Sequence, residues 1–582
     1  MNDSFSATDP TQDPLIAHAP PSGFAAAHDG IYLETEDKDG ETCSEWLCSP
    51  MAVVARGRNF QHTGWSRCIE LTDPDGVVHR WYVLDSWLST RSSTVLAGLR
   101  DRGLRFAGTP SAKRHLLDLI NRWKPTRRYV TTDRLGWTDA NCTSFVLGNE
   151  RVIGPGDLVF LNESARSGAE GMHPRGTLKE WRDAVASRCQ GNPILVASVS
   201  LAFAGPLPGL LDLEPAGLHL RGESSKGKSS AMKAAISVWG SPNLMFSWRA
   251  TTNALEGAAA ICNGALMPFD EFGEAKGKEI GDAIYMLLNG QGKARMASTG
   301  QLRAQNRWRA MLLSTGELTL ADKMAEAGKK TMAGQEVRLI DIQADARRFG
   351  AFDDLHGVAS AAEFSMQLKH SVGKHYGTAG PEFVERLVKS SSDDRHRFSG
   401  FRREIASMIE RASSGARDGQ TGRVIGHFAL IALAGELATR YGITGWERGT
   451  ALKAAHELFD NWQRSRHQSG VGQIDAAVQR TRSFLIANGG SSFEEIGGAP
   501  VANRDGYRDA RWFYIFGDAW NRIHAGHSPT EQARHLHAGG WLVRGDGANL
   551  KSKTPFGVPG RPRAFKIKVG ILHDGVDGIA AE

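Results

Sequence analysis

The pattern of apolar and polar positions changes character along the 582 residues of this chain. In the first 150 residues, short apolar or alternating runs are separated by turn residues, a pattern that predicts strands joined by hairpins. We therefore expect a mixed α/β, β-rich N-terminal domain over residues 23–175, preceded by a disordered leader at 1–22. The predicted strands include 52–56, 67–71 and 79–84, with a turn at 73–76 and one helix over 111–123.

Strand-like and helix-like segments alternate over residues 176–345, which predicts an α/β layered core. The longest apolar run, residues 194–204, is too short to cross a bilayer, which takes about 20 residues, so it predicts a core helix and no membrane association. Residues 346–470 are helical in pattern and predict a lid or linker region. Within them, 424–438 is apolar nearly all round, as a buried helix is.

The last part of the chain, residues 471–582, predicts a winged-helix-like domain of two helices followed by two strands. A small α+β cap with a solvated basic loop is the alternative. The helices are expected over 475–488 and 530–538 and the strands over 541–544 and 565–569, with Lys551, Lys553, Arg561 and Arg563 between the strands.

One segment fits the phosphate-binding pattern G-x-x-x-x-G-K-[ST] without a mismatch. A strand at 217–221 and a helix at 230–239 flank it in the order that such a loop requires, which disfavours the alternative of a flexible Ser/Gly linker. Backbone N–H groups would cradle phosphates, Lys228 would supply a positive charge, and the Ser229 hydroxyl would bind Mg²⁺. ATP and Mg²⁺ are the expected cofactors. The expected binding residues are Gly222, Glu223, Ser224, Ser225, Lys226, Gly227, Lys228, Ser229 and Ser230.

A second apolar run, 265–269, ends in the carboxylate pair Asp270–Glu271 about 40 residues after the loop. Asp270 is predicted to bind the Mg²⁺ and Glu271 to act as general base on the attacking water. Pro268 is unusual, because proline cannot donate a hydrogen bond within a sheet. An exposed acidic turn is the alternative interpretation.

The next apolar run, 310–313, ends in the hydroxyls of Ser314 and Thr315, which could sense the γ-phosphate or orient water. Thr315 is our catalytic candidate. A plain turn at the end of a strand is the alternative.

Residues 291–309, between these two runs, are basic and contain no acidic residue, and they could form a hairpin with its turn near 299–300. In a ring ATPase such a hairpin would project into the pore and grip a nucleic-acid strand. The alternative is an ordinary basic surface hairpin. The predicted DNA-binding residues are Lys293, Arg295, Arg303 and Arg307.

Two arginines are candidates for contacting the nucleotide phosphates. Arg338, at the start of an apolar strand, could reach a neighbouring subunit's γ-phosphate, although an ion pair with Asp341 or Glu336 competes. Arg423 could reach the nucleotide from the helical lid, although arginines at helix ends are often only dipole partners.

Composition adds two constraints. The net charge of +6 is compatible with a polyanionic partner. Six scattered cysteines and no visible targeting signal predict reduced thiols in a cytoplasm, and Cys43 and Cys48 lack the partners of a zinc site.

Four of these segments together resemble the helicase-like family called domain of unknown function 927, found in phages, plasmids and integrated elements. They are 222–229, 269–271, 312–317 and 334–338. The resemblance is clearest over residues 30–440. It implies an AAA+ ATPase related to superfamily-3 or minichromosome-maintenance-like helicases, forming hexameric rings that translocate on DNA. Pro268 and a hydroxyl in place of the usual sensor asparagine depart from those relatives.

Two functions follow as hypotheses. The first is an ATP-dependent ring helicase that supports replication of a mobile genetic element, with a primase or an initiator as a further candidate partner. The second is a nucleotide-switched assembly or defence ATPase that binds DNA or protein without unwinding. Arg303, Arg307 and Arg338 favour the first, because a switch needs no basic pore loop. A monomeric nucleotide kinase ranks third, since no arginine-rich lid is visible.

Overall fold

The computed structural model describes residues 19–36, 40–161, 171–296, 305–329, 333–390, 392–412, 419–547 and 549–572. The chain divides into two compact units, Met1–Asp460 and Asn461–Glu582. The mixed α/β architecture predicted from the sequence is confirmed. Most of the predicted leader lies outside the described residues.

Among its described residues, the N-terminal part of the first unit contains three sheets and three helices. One sheet is antiparallel in the order β1-β2-β3, a second has the order β11-β7-β4-β5-β6, and a small third has the order β10-β9-β8. Their bounds are β1 Phe24–Ala27, β2 Gly30–Glu36, β3 Thr42–Cys48, β4 Met51–Asn59, β5 Ser66–Thr72, β6 Val78–Leu84, α1 Asp85–Thr90, α2 Ser92–Asp101, α3 Pro110–Arg122, β7 Arg128–Thr132, β8 Gly136–Trp137, β9 Phe145–Val146, β10 Val152–Ile153 and β11 Leu158–Phe160.

The predicted hairpin at 73–76 joins β5 to β6. The Asp73 carboxylate accepts hydrogen bonds from the amides of Asp75 and Val77, both at 2.9 Å, and Gly76 supplies the positive φ that the turn needs. Apolar residues of β4, β5 and β6 pack against α2 and α3 to form the core of this part.

The second part of this unit is built on one parallel sheet in the order β13-β14-β15-β12-β16. Parallel strands need crossover connections, which α8, α9 and α10 provide. The bounds are α4 Leu178–Trp181, a π turn Arg182–Ala186, α5 Ser187–Cys189, α6 Pro193–Ala204, α7 Leu207–Leu210, β12 Gly217–Arg221, α8 Lys228–Ile236, β13 Phe246–Ser247, α9 Thr252–Ile261, β14 Leu266–Asp270, a 3-10 turn Phe272–Glu274, α10 Ile280–Asn289, β15 Met311–Gly316, α11 Leu320–Ala325, α12 Ala333–Glu336 and β16 Leu339–Gln343.

The apolar run 194–204 forms the buried helix α6, as predicted. Helices follow β16: α13 Ala361–Lys374, α14 Ala379–Val388, α15 Ser392–Ala412, α16 Gly419–Arg440 and α17 Thr450–Asn488. Helix α6 packs closely against α16, because a side chain on Gly435 would meet Ser200 Oγ at 2.3 Å. Across the described chain, no helix combines the length and apolarity needed to span a membrane.

Helix α17 differs from expectation. The sequence predicts two separate helices, over 450–462 and 475–488, whereas α17 runs through both. The intervening residues contain two glycines, Gly470 and Gly472, which weaken a helix, but no proline, which would end it.

The second unit contains a sheet in the order β17-β18-β19-β22-β20, with the short β21 also paired to β22. The pairs β19–β22 and β20–β22 are antiparallel. Strands β17 to β19 were not predicted. After α17 the bounds are β17 Phe493–Glu495, β18 Gly506–Arg508, β19 Trp512–Ile515, α18 Gly517–Ile523, α19 Pro529–Ala538, β20 Leu542–Val543, β21 Ser552–Lys553, β22 Arg563–Lys568 and a 3-10 turn Val569–Leu572.

Candidate nucleotide site

The predicted phosphate loop connects the carboxyl end of β12 to the first turn of α8, as the sequence indicates. Gly227 precedes the helix with φ +97°, a conformation that a side chain would strain. A Cβ there would also meet the Phe352 ring at 2.6 Å. Backbone N–H groups at the start of α8 therefore face the loop, which is the arrangement that binds phosphate.

Lys228 is only 9% exposed and lies under the loop. Its ammonium donates hydrogen bonds to the carbonyl oxygen of Gly222, at 2.6 Å, and to that of Glu223. Burial lowers the pKa of Lys228, and the carboxylates of Glu317, Asp345 and Asp270 oppose that shift. A cation so placed can neutralise a phosphate next to the loop backbone.

Residues 345–352, here called the clamp segment, hold the loop from outside. The Asp345 carboxylate accepts a hydrogen bond from the Glu223 amide at 2.8 Å. The Ala351 amide donates to the Lys226 carbonyl at 2.7 Å. The loop is thus fixed at two points by contacts that do not involve a nucleotide.

The carboxylate pair lies at the end of β14, on the same sheet edge as the loop. Asp270 is in contact with the Thr315 hydroxyl at the end of the neighbouring strand β15. Glu271 follows with φ +62°, a left-handed conformation that costs energy in a residue other than glycine, and its side chain is exposed. The structure therefore brings together three predicted catalytic residues, Lys228, Asp270 and Thr315, and places Glu271 beside them. Their roles stay predictions.

Pro268 lies within β14, in the interior of the sheet, which the sequence rule disfavours. The Ala265 carbonyl accepts a hydrogen bond from Met311 of β15, and the Asp270 carbonyl accepts one from Trp248 on the other side. Backbone groups in a parallel strand face alternate sides, so Pro268 faces β13. Because β13 pairs only with the residues after Pro268, the missing N–H leaves no partner unsatisfied in the ladder.

Ser314, the other hydroxyl considered as a sensor, is fully buried and bound within the sheet. Burial lowers the pKa of His219 to about 4, so the ring is neutral and its Nε2–H donates to the Leu318 carbonyl at 3.0 Å. His219 Nδ1 must then accept from Ser314 at 2.8 Å, and the Trp248 indole donates to the same hydroxyl at 2.9 Å. Ser314 thus fixes the packing of three strands, and Thr315 alone of the two contacts the carboxylate pair.

A magnesium ion would suit the oxygen donors at this edge. Ser229 follows Lys228 in the first turn of α8, and Asp270 ends β14. Among the described residues, no group of three or more His, Cys, Asp or Glu side chains could hold a metal ion by itself. Mg²⁺ typically takes one or two protein oxygens and completes its shell with phosphates and water, so the Ser229 and Asp270 oxygens are a compatible donor set.

Two carboxylates near the loop were not predicted as site residues. Glu317 directly follows β15, and Asp345 follows β16, and both act on the pKa of Lys228. Burial acts to raise the pKa of Asp345, but hydrogen bonds from the Glu223 amide, the Gln343 side chain and the Asp345 amide together lower it, and the carboxyl stays ionised. Their positions just beyond two strand ends were a usable signal, since parallel strands present their carboxyl ends at one edge.

Arg338 lies at the opposite edge of the sheet. Its backbone carbonyl accepts a hydrogen bond from the Gly217 amide, at the start of β12, at 2.7 Å. The phosphate loop begins after the other end of β12, roughly 13 Å away at about 3.3 Å per residue. Asp341, considered as an ion-pair partner, binds Arg221 at 3.0 Å instead.

Arg338 lines a pocket of about 350 Å³ at this amino edge. Its guanidinium lies 3.5 Å from Glu214, and its buried Nε has no hydrogen-bond partner among the described residues. Burial, with the charges of three arginines, lowers the pKa of His427 to about 4. The structure thus places Arg423 with Arg338 rather than with Lys228. The charged and titratable lining residues are Glu214, Arg338, Arg402, Arg423 and His427.

The arms of the basic hairpin pair in an antiparallel sense, Gln291 opposite Arg307, whereas Arg303 and the predicted turn lie outside the described residues. Lys293 and Arg307 are exposed. Arg295 is also exposed, at 41%, but it binds Glu256, which is 2% exposed, at 2.8 Å. Arg295 therefore secures the base of the hairpin, a role that the sequence did not reveal.

Three comparisons bear on the identity of the chain. The family model of domain of unknown function 927 matches residues 24–307, so the resemblance read from the motifs is confirmed over that range. No curated protein matches the chain. Among solved structures, an active helicase, Cch of SCCmec type IV, matches with a TM-score of 0.68 at 18% identity, covering 95% of this chain and 99% of that one. At this identity the match shows a shared fold.

Proposed function

Starting from the family match over residues 24–307, we propose that this chain is an ATP-dependent DNA helicase or translocase that acts as a ring. One observation carries the proposal: the phosphate loop and carboxylates lie at one edge of the sheet, and the arginine pocket lies at the other. A single copy cannot bring Arg338 to its own phosphate loop. Two adjacent copies could.

The order of strands supports an AAA+ core. The strand that bears Asp270 is separated from the phosphate-loop strand by β15. Thr315, at the end of that intervening strand, is then positioned between the carboxylate pair and the loop. We assign Thr315 as the residue that senses the γ-phosphate. Its hydroxyl contacts the Asp270 carboxylate, which would orient the Thr315 side chain.

The chemistry at the carboxyl edge can be assigned to the residues of this chain. Amides of the loop and Lys228 would bind the β- and γ-phosphates, and Ser229 with Asp270 would hold Mg²⁺, which supplies charge neutralisation. Glu271, exposed beside Asp270, would accept a proton from the attacking water. Asp345 and Glu317 keep the Lys228 ammonium charged despite its burial.

Arg338 would complete the site of a neighbouring copy. Its unpartnered Nε and the single carboxylate in its pocket leave a net positive charge that a γ-phosphate could neutralise. Arg423 and Arg402 would contribute to the same contact. Hydrolysis in one copy would then depend on the next, and a hexameric ring is the assembly we propose.

Two regions would engage DNA. The first is the basic hairpin, with Lys293, Arg303 and Arg307 as its binding residues. The second is the C-terminal unit, where the order α17, β19, α18, α19, β20, β22 supports a winged-helix domain. The segment before β22 would form the wing, and Phe556 in it is 84% exposed with the Arg561 guanidinium 4.0 Å from its ring centroid.

The biological setting is proposed by likeness. SCCmec is a mobile element, and its Cch is described as an active helicase. We propose that this chain likewise supports replication of a mobile element in the cytoplasm, working with an initiator or a primase.

The test is strand displacement on forked DNA of both polarities, run beside mass measurement with and without ATP. We expect ATP-dependent displacement of one polarity by an assembled ring, and none by Lys228→Ala. Assembly on ATP without displacement of either fork would instead favour the nucleotide-switched assembly protein.

A further inference from the structure

The N-terminal part of the chain carries a charge pattern that neither edge of the ATPase sheet explains. Residues 50–134 contain 15 Lys and Arg against 7 Asp and Glu, a net charge of +8, whereas the whole chain has +6. The positive excess of this protein is therefore concentrated in the second sheet, β11-β7-β4-β5-β6, and in the helices that pack on it.

Exposed aromatic rings lie at one end of that sheet. The loop 60–65 joins β4 to β5, and all of its residues are exposed. Phe60 is 47% exposed and Trp65 is 38% exposed. Two large, partly exposed rings on one hairpin loop form a small apolar surface that a ligand could cover.

The loop is fixed in shape. The Thr63 amide donates a hydrogen bond to the side-chain oxygen of Asn59, and the Asn59 amide donates one to the Thr63 carbonyl, both at 2.9 Å. The Trp65 carbonyl accepts a hydrogen bond from the Asp85 amide, also at 2.9 Å. Hydrogen bonds thus fix the backbone at both ends of the loop that carries the two rings.

Arginines lie directly beside the rings. The Arg56 guanidinium is 4.8 Å from the centroid of the Trp65 ring. Arg58 lies two residues further along β4 and therefore on the same face, and Arg128 pairs with Arg56 across the parallel β7. Arg58 and Arg128 have no ion pair within the described part of the chain.

The acidic groups of this region do not cancel the charge. Asp85 lies behind Trp65 and accepts from Arg56 at 2.7 Å and from the buried Arg67 at 2.8 Å, so one carboxylate serves two guanidiniums. Asp73 and Asp75 lie at the opposite end of β5, in the turn to β6. One end of the sheet is therefore basic and aromatic, and the other is acidic.

We propose that the loop 60–65, with Arg56, Arg58 and Arg128, is a binding site for a single-stranded polynucleotide. Phe60 and Trp65 would stack on bases, and the arginines would neutralise the backbone phosphates. Aromatic rings beside a cationic groove are the features by which proteins bind single strands without reading sequence. The inference rests on the proposed function for its ligand, DNA, because the same features would accept RNA.

The experiment is photo-crosslinking of the full-length chain to a bromodeoxyuridine oligonucleotide of about 12 residues, within the usual range of site sizes. Trypsin releases residues 59–67 as one peptide that contains both rings. We expect a crosslink on this peptide, without ATP and equally in Lys228→Ala. A bromouridine RNA of the same length tells the two polymers apart.

A binding assay with matched variants completes the test. Phe60→Ala with Trp65→Ala should abolish that crosslink and weaken binding of a dT oligomer about tenfold, the loss expected for one or two stacked bases. Val77→Ala with Val78→Ala removes equally exposed side chains, 53% and 54%, at the acidic end of the same sheet and should change nothing.

The outcomes separate this inference from the proposed function. DNA unwinding by a chain in which peptide 59–67 does not crosslink would overturn the binding site and leave the helicase intact. A crosslink there without unwinding would overturn the helicase and leave the binding site. Equal loss of binding in the Val77, Val78 control would show that the sheet, not the rings, is responsible, and would also overturn the site.

Discussion

The two edges of the parallel sheet in the first unit differ in charge. At the carboxyl edge a cationic loop faces several carboxylates, among them Asp270, which contacts the Thr315 hydroxyl, and Asp345, which accepts from the Glu223 amide. At the amino edge, Arg338, Arg402 and Arg423 surround a neutral histidine, with Glu214 as the carboxylate of the pocket. The difference supports the proposal that the arginines of the amino edge meet an anion from a neighbouring copy. The carboxyl edge, once it binds a nucleotide, presents one.

Removing the cation of the carboxyl edge should have the largest effect. Lys228→Ala leaves no positive side chain under the loop, so we expect loss of measurable ATP hydrolysis and of nucleotide binding by calorimetry. Lys179→Ala is the control, because Lys179 lies outside the loop, is exposed and pairs with Asp183 on the same stretch of helix. Full ATP hydrolysis by Lys228→Ala would contradict the assignment of the carboxyl edge as the nucleotide site.

Removing the cation of the amino edge should cost about 10³-fold in hydrolysis by the assembled protein, the low end of the range for arginines supplied in trans. Nucleotide binding by Arg338→Ala should persist. Mixing inactive Arg338→Ala with inactive Glu271→Gln should restore part of the activity, since some neighbouring pairs would then hold one intact site.

Arg411→Ala is the matched control for this mixing, because Arg411 donates only to a carbonyl of its own helix. No recovery on mixing, with both variants assembled, would mean that Arg338 acts within its own chain or not at all.

Acid should lower the stability of both edges through the protonation of His219 and His427. Burial lowers the pKa of His219 and that of His427 to about 4. Each ring is neutral in the folded chain, so its contribution to the free energy of unfolding is complete above pH 6.5. That contribution is lost as the pH falls from about 6.5 to about 4, which lowers the free energy of unfolding by up to about 3 kcal/mol per histidine.

Thermal unfolding of the wild type, His219→Gln and His427→Gln across this range checks the histidine prediction. Each variant should be less stable at pH 7 but lose less stability on acidification. A wild-type profile that is flat between pH 6.5 and 4.5 would contradict it. Phosphate, by binding the arginine pocket, should reduce the acid sensitivity due to His427 and leave that due to His219.

The smallest effect is expected at the hairpin. Arg307→Ala removes an exposed charge and should lower the salt dependence of single-strand binding by about 0.7 in log–log slope. Arg295→Ala should leave that slope nearly unchanged and lower the thermal stability instead, because it leaves the buried Glu256 carboxylate without its cation. Equal salt-dependence slopes for Arg307→Ala and Arg295→Ala would contradict these separate roles in binding and in stability.

The strands of the parallel sheet and the helices packed on it could be predicted where each has its own local signal. The strand at 217–221 and the helix at 194–204 follow directly from their apolar runs. The pairings across the sheet could not, because they depend on register: Ser314 and Thr315 are neighbours in sequence but face opposite sides of β15. The position of Arg423 depends on how α16 packs, and no local pattern encodes that. Arg295 looked like a DNA-binding residue because its partner, Glu256, lies on a different element.

The clamp segment also bears on the kinetics of nucleotide binding. Asp345 and Ala351 hold the phosphate loop through bonds to Glu223 and Lys226, so the loop has little freedom left to lose when phosphates arrive. Association should therefore proceed near the rate of encounter, without a slow step of loop closure. Cutting this tether with Asp345→Ala would then slow the capture of nucleotide more than its release.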